Sequence, residues 1–154
     1  MANILIDGYN MMGIHHRDIK RAREEFLDLL NTYALHSGNK VVVIFDGYRG
    51  TARDIQGLQR GAIKVLYTPV GQKADDYIVD FVRSSNNEWI VVTSDNAITN
   101  EVWRTKSIPI DIDPFWDLLL SVRSGNLEDI LDHIEELPLS AKKKRTLRKA
   151  LSRL

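Results

Sequence analysis

The chain has 154 residues, a formal net charge of zero, no cysteine and 44% hydrophobic residues, a composition that fits one domain able to bury roughly two thirds of its unfolded surface. The lack of cysteine excludes a disulfide framework and a Cys-based zinc site, and His15, His16, His36 and His133 do not have zinc-motif spacing. No signal-peptide pattern opens the chain and no apolar run approaches the ~18 residues that span a bilayer, so a soluble, cytoplasmic protein without a membrane association is expected.

Hydrophobic periodicity alternates strand and helix along the chain. Asn3–Ile6 reads as a short buried strand. Ile19, Ala22, Phe26, Leu29, Leu30 and Tyr33 recur at helical spacing, and Ser37-Gly38 supplies the stop. Val41–Phe45 is apolar and mostly β-branched, as in a strand covered on both faces. Gly47–Gly61 carries four glycines and several arginines and reads as a loop. Ile63–Tyr67 is a third strand, Asp75–Arg83 a helix, Trp89–Thr93 a fourth strand, Ala97–Thr105 a helix and Ile108–Ile112 a fifth strand. Asp113-Pro114 reads as N-cap and first position of a helix that Gly125 closes. Two further helices are expected, Leu127–Leu137 and Ala141–Arg153, the last capped by Ser140.

Such alternation implies an α/β fold with a mainly parallel sheet covered on both faces, because parallel neighbours need crossover connections. It also implies one domain over residues 1–122, with residues 123–154 as a helical appendage.

Three of the strands end in an aspartate: N-I-L-I-D at Asp7, V-V-V-I-F-D at Asp46 and I-V-V-T-S-D at Asp95. In a parallel sheet all carboxyl ends lie on one edge, where open α/β sheets bind ligands. Asp75, in G-Q-K-A-D-D-Y-I, starts a helix on the same edge, while Asp76 points about 100° away around that helix. Crowded carboxylates repel and raise one another's pKa unless a cation neutralises them. Mg²⁺ or Mn²⁺ takes oxygen ligands of this kind, as one ion or a pair, and can activate water for attack on a phosphoryl group. Taken singly, a strand-end aspartate is more often a helix cap than a ligand, a reading that suits Asp95 and Asp75 and suits Asp46, before a glycine-rich loop, less well. The joint pattern favours a metal pocket.

These residues carry a resemblance. I-L-I-D-G-Y-N, the helix with A-R-E-E-F, V-V-V-I-F-D-G, A-D-D-Y-I and V-V-T-S-D stand in an order and spacing similar to those of YacP-like proteins, of the NYN branch of the PIN-like nuclease superfamily. The resemblance covers roughly Ala2 to Leu120. It implies a PIN-like three-layer α/β/α fold of strand order 3-2-1-4-5 and a divalent-metal-dependent endoribonuclease using Mg²⁺ or Mn²⁺. It places the acidic site on Asp7, Asp75 and Asp95, with Asp46 as the strand-two carboxylate and Asn10 as a polar neighbour of the metal; Asp76, turned away around its helix, is the weaker candidate ligand. Gln72-Lys73 stands where relatives often have Glu-Thr, which removes one acid and adds a positive charge.

An acidic pocket that cuts RNA needs cations around it. Arg49, Arg53, Arg60 and Lys73 flank the strand ends and are placed to hold a phosphate backbone, the alternative for the arginines being a solvated, flexible loop. Tyr9 and Tyr48 stand beside the aspartates, where they either stack on bases or pack beneath the loop. From Ser140 to Leu154 the charged residues are all basic, among them Lys142, Lys143, Lys144 and Arg145. That amphipathic helix fits structured RNA such as the ribosome, an acidic membrane surface, or pairing with the acidic Leu127–Leu137 helix. The competing readings are a non-catalytic RNA- or ribosome-binding protein and a PIN-type toxin. A haloacid-dehalogenase phosphatase is disfavoured because no D-x-D follows the first strand, and nucleotide hydrolysis because phosphate-cradling glycine motifs are absent.

Overall fold

A computed structural model describes residues 1–13, 18–47, 53–124 and 140–152. The expected helix Leu127–Leu137, its neighbouring stop at Gly125, and His15, His16, Tyr48 and Arg49 lie outside the described residues, as does the Lys143 side chain.

Along the chain run β1 (Asn3–Asp7), α1 (Gly8–Met12), α2 (Ile19–Ser37), β2 (Lys40–Phe45), β3 (Gln56–Arg60), β4 (Ile63–Tyr67), α3 (Ala74–Ser84), β5 (Ile90–Val92), α4 (Asn96–Val102), β6 (Ile108–Ile110), α5 (Ile112–Ser124) and a last helix, α6 (Ala141–Ser152). The sheet order is β3-β4-β2-β1-β5-β6. All pairings are parallel except β3 with β4. The five expected strands stand in the order the resemblance implies, with one more strand added at an edge. That strand, Gln56–Arg60, corrects the reading of Gly47–Gly61 as loop throughout. Its sequence, Q-G-L-Q-R, has one apolar residue and no β-branched one, and four of its five residues are exposed. Pairing with β4 makes it a strand; hydrophobic burial does not, so periodicity has nothing to register.

The buried strands separate two apolar layers. On one face Ile4, Ile6, Val41, Val43, Phe45, Val65 and Val92 meet Phe26, Leu27, Leu30 and Tyr33 of α2 and Phe115, Leu118 and Leu119 of α5. On the other, Leu5, Val42, Ile44, Leu66 and Val91 meet Ala74, Ile78 and Val82 of α3 and Ile98 and Val102 of α4. Alternate residues of one strand feeding opposite layers is the period-two geometry of a sheet covered on both faces. The result is a three-layer α/β/α arrangement.

Caps fix where the helices begin and end. Asp18 accepts from Arg21 N at 3.0 Å to open α2, and Gly38, left-handed at φ 71°, closes it with its N–H on Ala34 O. The last α/β helix starts one residue after Asp111, whose carboxylate accepts from Ile112 N at 2.7 Å. Asp113 is therefore inside the first turn of α5 and not its cap, and Pro114 still sits where no intrahelical N–H is required. Helix α6 lies against β6, so it covers a sheet edge, one of the usual ways an open edge is protected. Among the described residues no helix is long and apolar enough to cross a membrane.

Candidate active site

The strand registers put Asp7 opposite Ile44 and Phe45 opposite Tyr67, so β1, β2 and β4 end together, and the parallel β5 brings Thr93-Ser94-Asp95 to the same edge. Two glycines allow the chain to turn there, for reasons of packing. A Cβ on Gly8 would run into the Phe45 ring, and one on Gly47 into the Thr68 carbonyl oxygen. Packing at the strand ends therefore requires a residue without a side chain at both positions.

Asp7 is buried, and its pKa is pushed up to about 7. Burial is the main cause; the Thr93 hydroxyl opposes it, the neighbouring Asp46 and Asp75 carboxylates raise it further, and the Asn10 backbone lowers it slightly. Thr93 Oγ1 donates to Asp7 Oδ2 at 3.3 Å and accepts from Asp95 N at 3.1 Å. Asn10 faces the same turn. Its Oδ1 accepts from Ser94 N at 2.8 Å and from Ser94 Oγ at 3.1 Å. The Asn10 carboxamide is therefore a clasp between α1 and the β5–α4 turn, with its oxygen fully used by the protein.

Asp46 and Asp95 both cap helices. Asp46 Oδ1 accepts from Ala74 N at 2.5 Å, capping α3 from another strand, where Lys73 at the N-cap position makes no side-chain bond of its own. Asp95 Oδ1 accepts from Ala97 N at 2.8 Å and Ile98 N at 3.3 Å at the start of α4. Asp75 and Asp76 occupy the first turn of α3, Asp75 half-buried and Asp76 exposed. Asp75 is among the groups that act on Asp7, and Asp76 is not, as the 100° step around the helix requires. Among the described residues no group of three or more carboxylates or imidazoles forms a ready-made metal site. Asp7, Asp46 and Asp75 interact, while Asp95 is turned to its own helix.

A cleft of about 870 Å³ adjoins this edge between residues 69–72, α3 and α4, lined by Asp75 and Asp76 together with Asp80 and Glu101. Asp7 does not line it. Of the expected RNA-binding residues, Arg53 and Lys73 are exposed, as are Lys142 and Arg145 on α6, where Lys144 is half-buried. Arg60 is committed elsewhere: it forms ion pairs with Glu24 and with Asp28 at 2.7 Å, tying β3 to α2. Tyr9 is packed, with its ring 4.7 Å from that of Phe45 and its hydroxyl accepting from Arg23 Nη1 at 3.1 Å. Sequence reasoning passed over Arg23 and Thr93, although A-R-E-E-F and T-S-D contain them. Only their three-dimensional neighbours reveal a role.

The YacP-like NYN domain matches this chain over residues 4–153. The chain belongs to the YacP-like NYN domain family. The match continues through the basic helix, beyond the segment whose motifs are recognisable by eye. The protein YacP of Bacillus subtilis (strain 168) is 29% identical over 95 residues, 54% of this chain and 53% of that protein; the matched stretch thus spans about half the length of the relative. Two crystal structures of Rae1 (YacP) from Bacillus subtilis, one of a point variant, share the fold. They superpose with TM-scores of 0.66 and 0.64 at 22% and 20% identity, covering 99% and 97% of this chain and 91% and 90% of those. Membership in the family points to a nuclease-like, RNA-related function.

Proposed function

We propose that the protein is a divalent-metal-dependent endoribonuclease that hydrolyses backbone phosphodiester bonds at the carboxyl edge of its sheet. The observation that carries the reading is Asp7, buried at a strand end beside Asp46 and Asp75, with a pKa raised toward neutrality. A carboxylate so placed is costly in isolation and is relieved by a hard cation. The donors are all oxygens, which suits Mg²⁺ or Mn²⁺. Mg²⁺ needs only one or two protein carboxylates with several waters, so the lack of a preformed three-group site among the described residues is compatible with a hydrated ion. Asp7 and Asp75 would hold it, with Asp46 offering the oxygen not engaged by Ala74.

When bound, the ion supplies an acidic water as nucleophile and positive charge for the phosphoryl oxygens. The chain's own residues orient the reactants. Thr93 holds Asp7, Asn10 holds the Ser94 turn, and Asp46 holds the first turn of α3 with Asp75. Arg53 and Lys73 at the rim, and Lys142, Lys144 and Arg145 on α6, would contact the RNA backbone, structured ribosomal RNA included.

A second reading, RNA binding without cleavage, is favoured by the capping roles of Asp46 and Asp95 and by Lys73 beside Asp75. Incubating the purified chain with single-stranded RNA in Mn²⁺, Mg²⁺ or EDTA separates the two. Internal cuts with either metal and none in EDTA are the expected outcome; salt-sensitive binding with intact RNA under every condition would establish the second reading.

A further inference from the structure

Arg23 Nε is buried, and among the described residues no acceptor reaches it. The acids around it on α2 are engaged: Glu24 and Asp28 with Arg60, and Glu25 with Arg21 at 3.1 Å. Positions three and four further along the helix are Phe26 and Leu27, so no helical neighbour there pairs with it. Its Nη1 donates to the Tyr9 hydroxyl at 3.1 Å, and its guanidinium carbon lies 5.8 Å from the centre of the Tyr67 ring. Tyr9, Phe45 and Tyr67 form a continuous aromatic support, with centroid separations of 4.7 and 5.6 Å. Tyr9 stands two residues after Asp7, and Phe45 immediately precedes Asp46. The supported guanidinium thus lies on the α2 side of the edge that bears the candidate catalytic carboxylates.

With Nη1 committed to Tyr9, the guanidinium is left with the edge formed by Nε and Nη2, the pair of donors that meets two oxygens of one phosphate side-on. A packing role over Tyr67 would not explain why a buried donor lacks an acceptor, since unsatisfied buried nitrogens are rare and costly. We infer that Arg23 is a phosphate-binding residue of the RNA path, held by Tyr9 and Tyr67 to grip the backbone of the strand that crosses Asp7. This inference rests on the endoribonuclease reading and assigns one of its substrate contacts.

The test uses the full chain carrying Asp7→Asn, so that RNA stays intact, with Mg²⁺ and a short fluorescein-labelled single-stranded oligoribonucleotide. Affinity is read by anisotropy across a series of KCl concentrations. Adding Arg23→Gln is expected to weaken binding about 10-fold and to reduce the slope of log affinity against log salt by nearly one, the signature of one lost phosphate contact. Arg23→Lys keeps the charge without the fork, and should retain the slope while losing affinity several-fold. That variant carries the test if Arg23→Gln does not fold: wild-type affinity in Arg23→Lys would then overturn the inference. Unchanged affinity and slope in a folded Arg23→Gln protein overturn it as well, and leave the nuclease reading standing. If the Asp7→Asn parent does not bind the RNA at low salt, the nuclease reading fails, and the inference fails with it.

Discussion

Asp46, at the end of β2, accepts a hydrogen bond at 2.5 Å from the backbone N–H of Ala74, the first residue of α3, across 28 residues of chain. A carboxylate at a helix N-terminus satisfies an orphan donor and complements the helix dipole. Here the cap comes from another strand, so the same bond that anchors α3 to the sheet sets where Asp75 stands. Asp46→Ala should lower stability by about 1–2 kcal/mol, the usual cost of a lost cap, seen as a lower urea midpoint. Asp46→Asn keeps an acceptor and should recover most of that loss. Equal midpoints for Asp46→Ala and the parent would show that the bond is not stabilising.

Asp7 gives the protein a defined response to pH. Its folded pKa is raised from 3.8 to about 7, so between those values the native state binds more protons than the unfolded chain. Stability of the metal-free protein must therefore fall as pH rises from about 4 to about 7, with no penalty below that window and the full penalty above it. At about 1.4 kcal/mol per pKa unit the full effect is on the order of 4 kcal/mol. Urea melts in EDTA across this range should show the decline, and Asp7→Asn should flatten it. Because a bound cation needs the ionised carboxylate, added Mn²⁺ should raise the melting temperature more at pH 8 than at pH 5.5. A Mn²⁺ effect independent of pH would contradict a role for Asp7 in holding the ion.

Asn10 joins α1 to the β5–α4 turn through its carboxamide oxygen. Asn10→Ala removes that acceptor from Ser94 N–H and should cost about 1–2 kcal/mol, within the range for leaving a hydrogen-bonding group unpaired. Asn10→Asp keeps the acceptor but adds a negative charge beside Asp7, so it should move the pH-dependent decline in stability to higher pH. Both effects can be read from urea melts over the same pH series. No shift of that decline in Asn10→Asp would mean that the two side chains do not interact electrostatically.

Much of this fold was legible because buried parallel strands announce themselves. V-V-V-I-F and I-L-I are apolar at every position since both faces are covered, and the aspartates that end them mark one edge whatever the strand order. The edge strand β3 was not legible: its residues face solvent and its pairing is supplied by β4. Local sequence also placed Asp95 and Asp75 at helix starts, where they are found. It had no means of showing that Asp46 caps a helix far along the chain, that Arg60 is pinned by Glu24 and Asp28, or that Arg23 lies against Tyr9 and Tyr67. Those relations are made by tertiary packing between segments that carry no signal of one another.

The most direct measurement of the central claim is the rate of single-stranded RNA cleavage in Mn²⁺ by the parent chain and by Asp7→Asn, each first shown to be folded by circular dichroism. The account predicts that the variant folds at least as stably as the parent near neutral pH, since it sheds a buried like charge, and that its cleavage rate falls by roughly 100-fold or more, the scale for losing a group that acts at the reacting centre. A folded Asp7→Asn protein that cleaves at the parent's rate would contradict it.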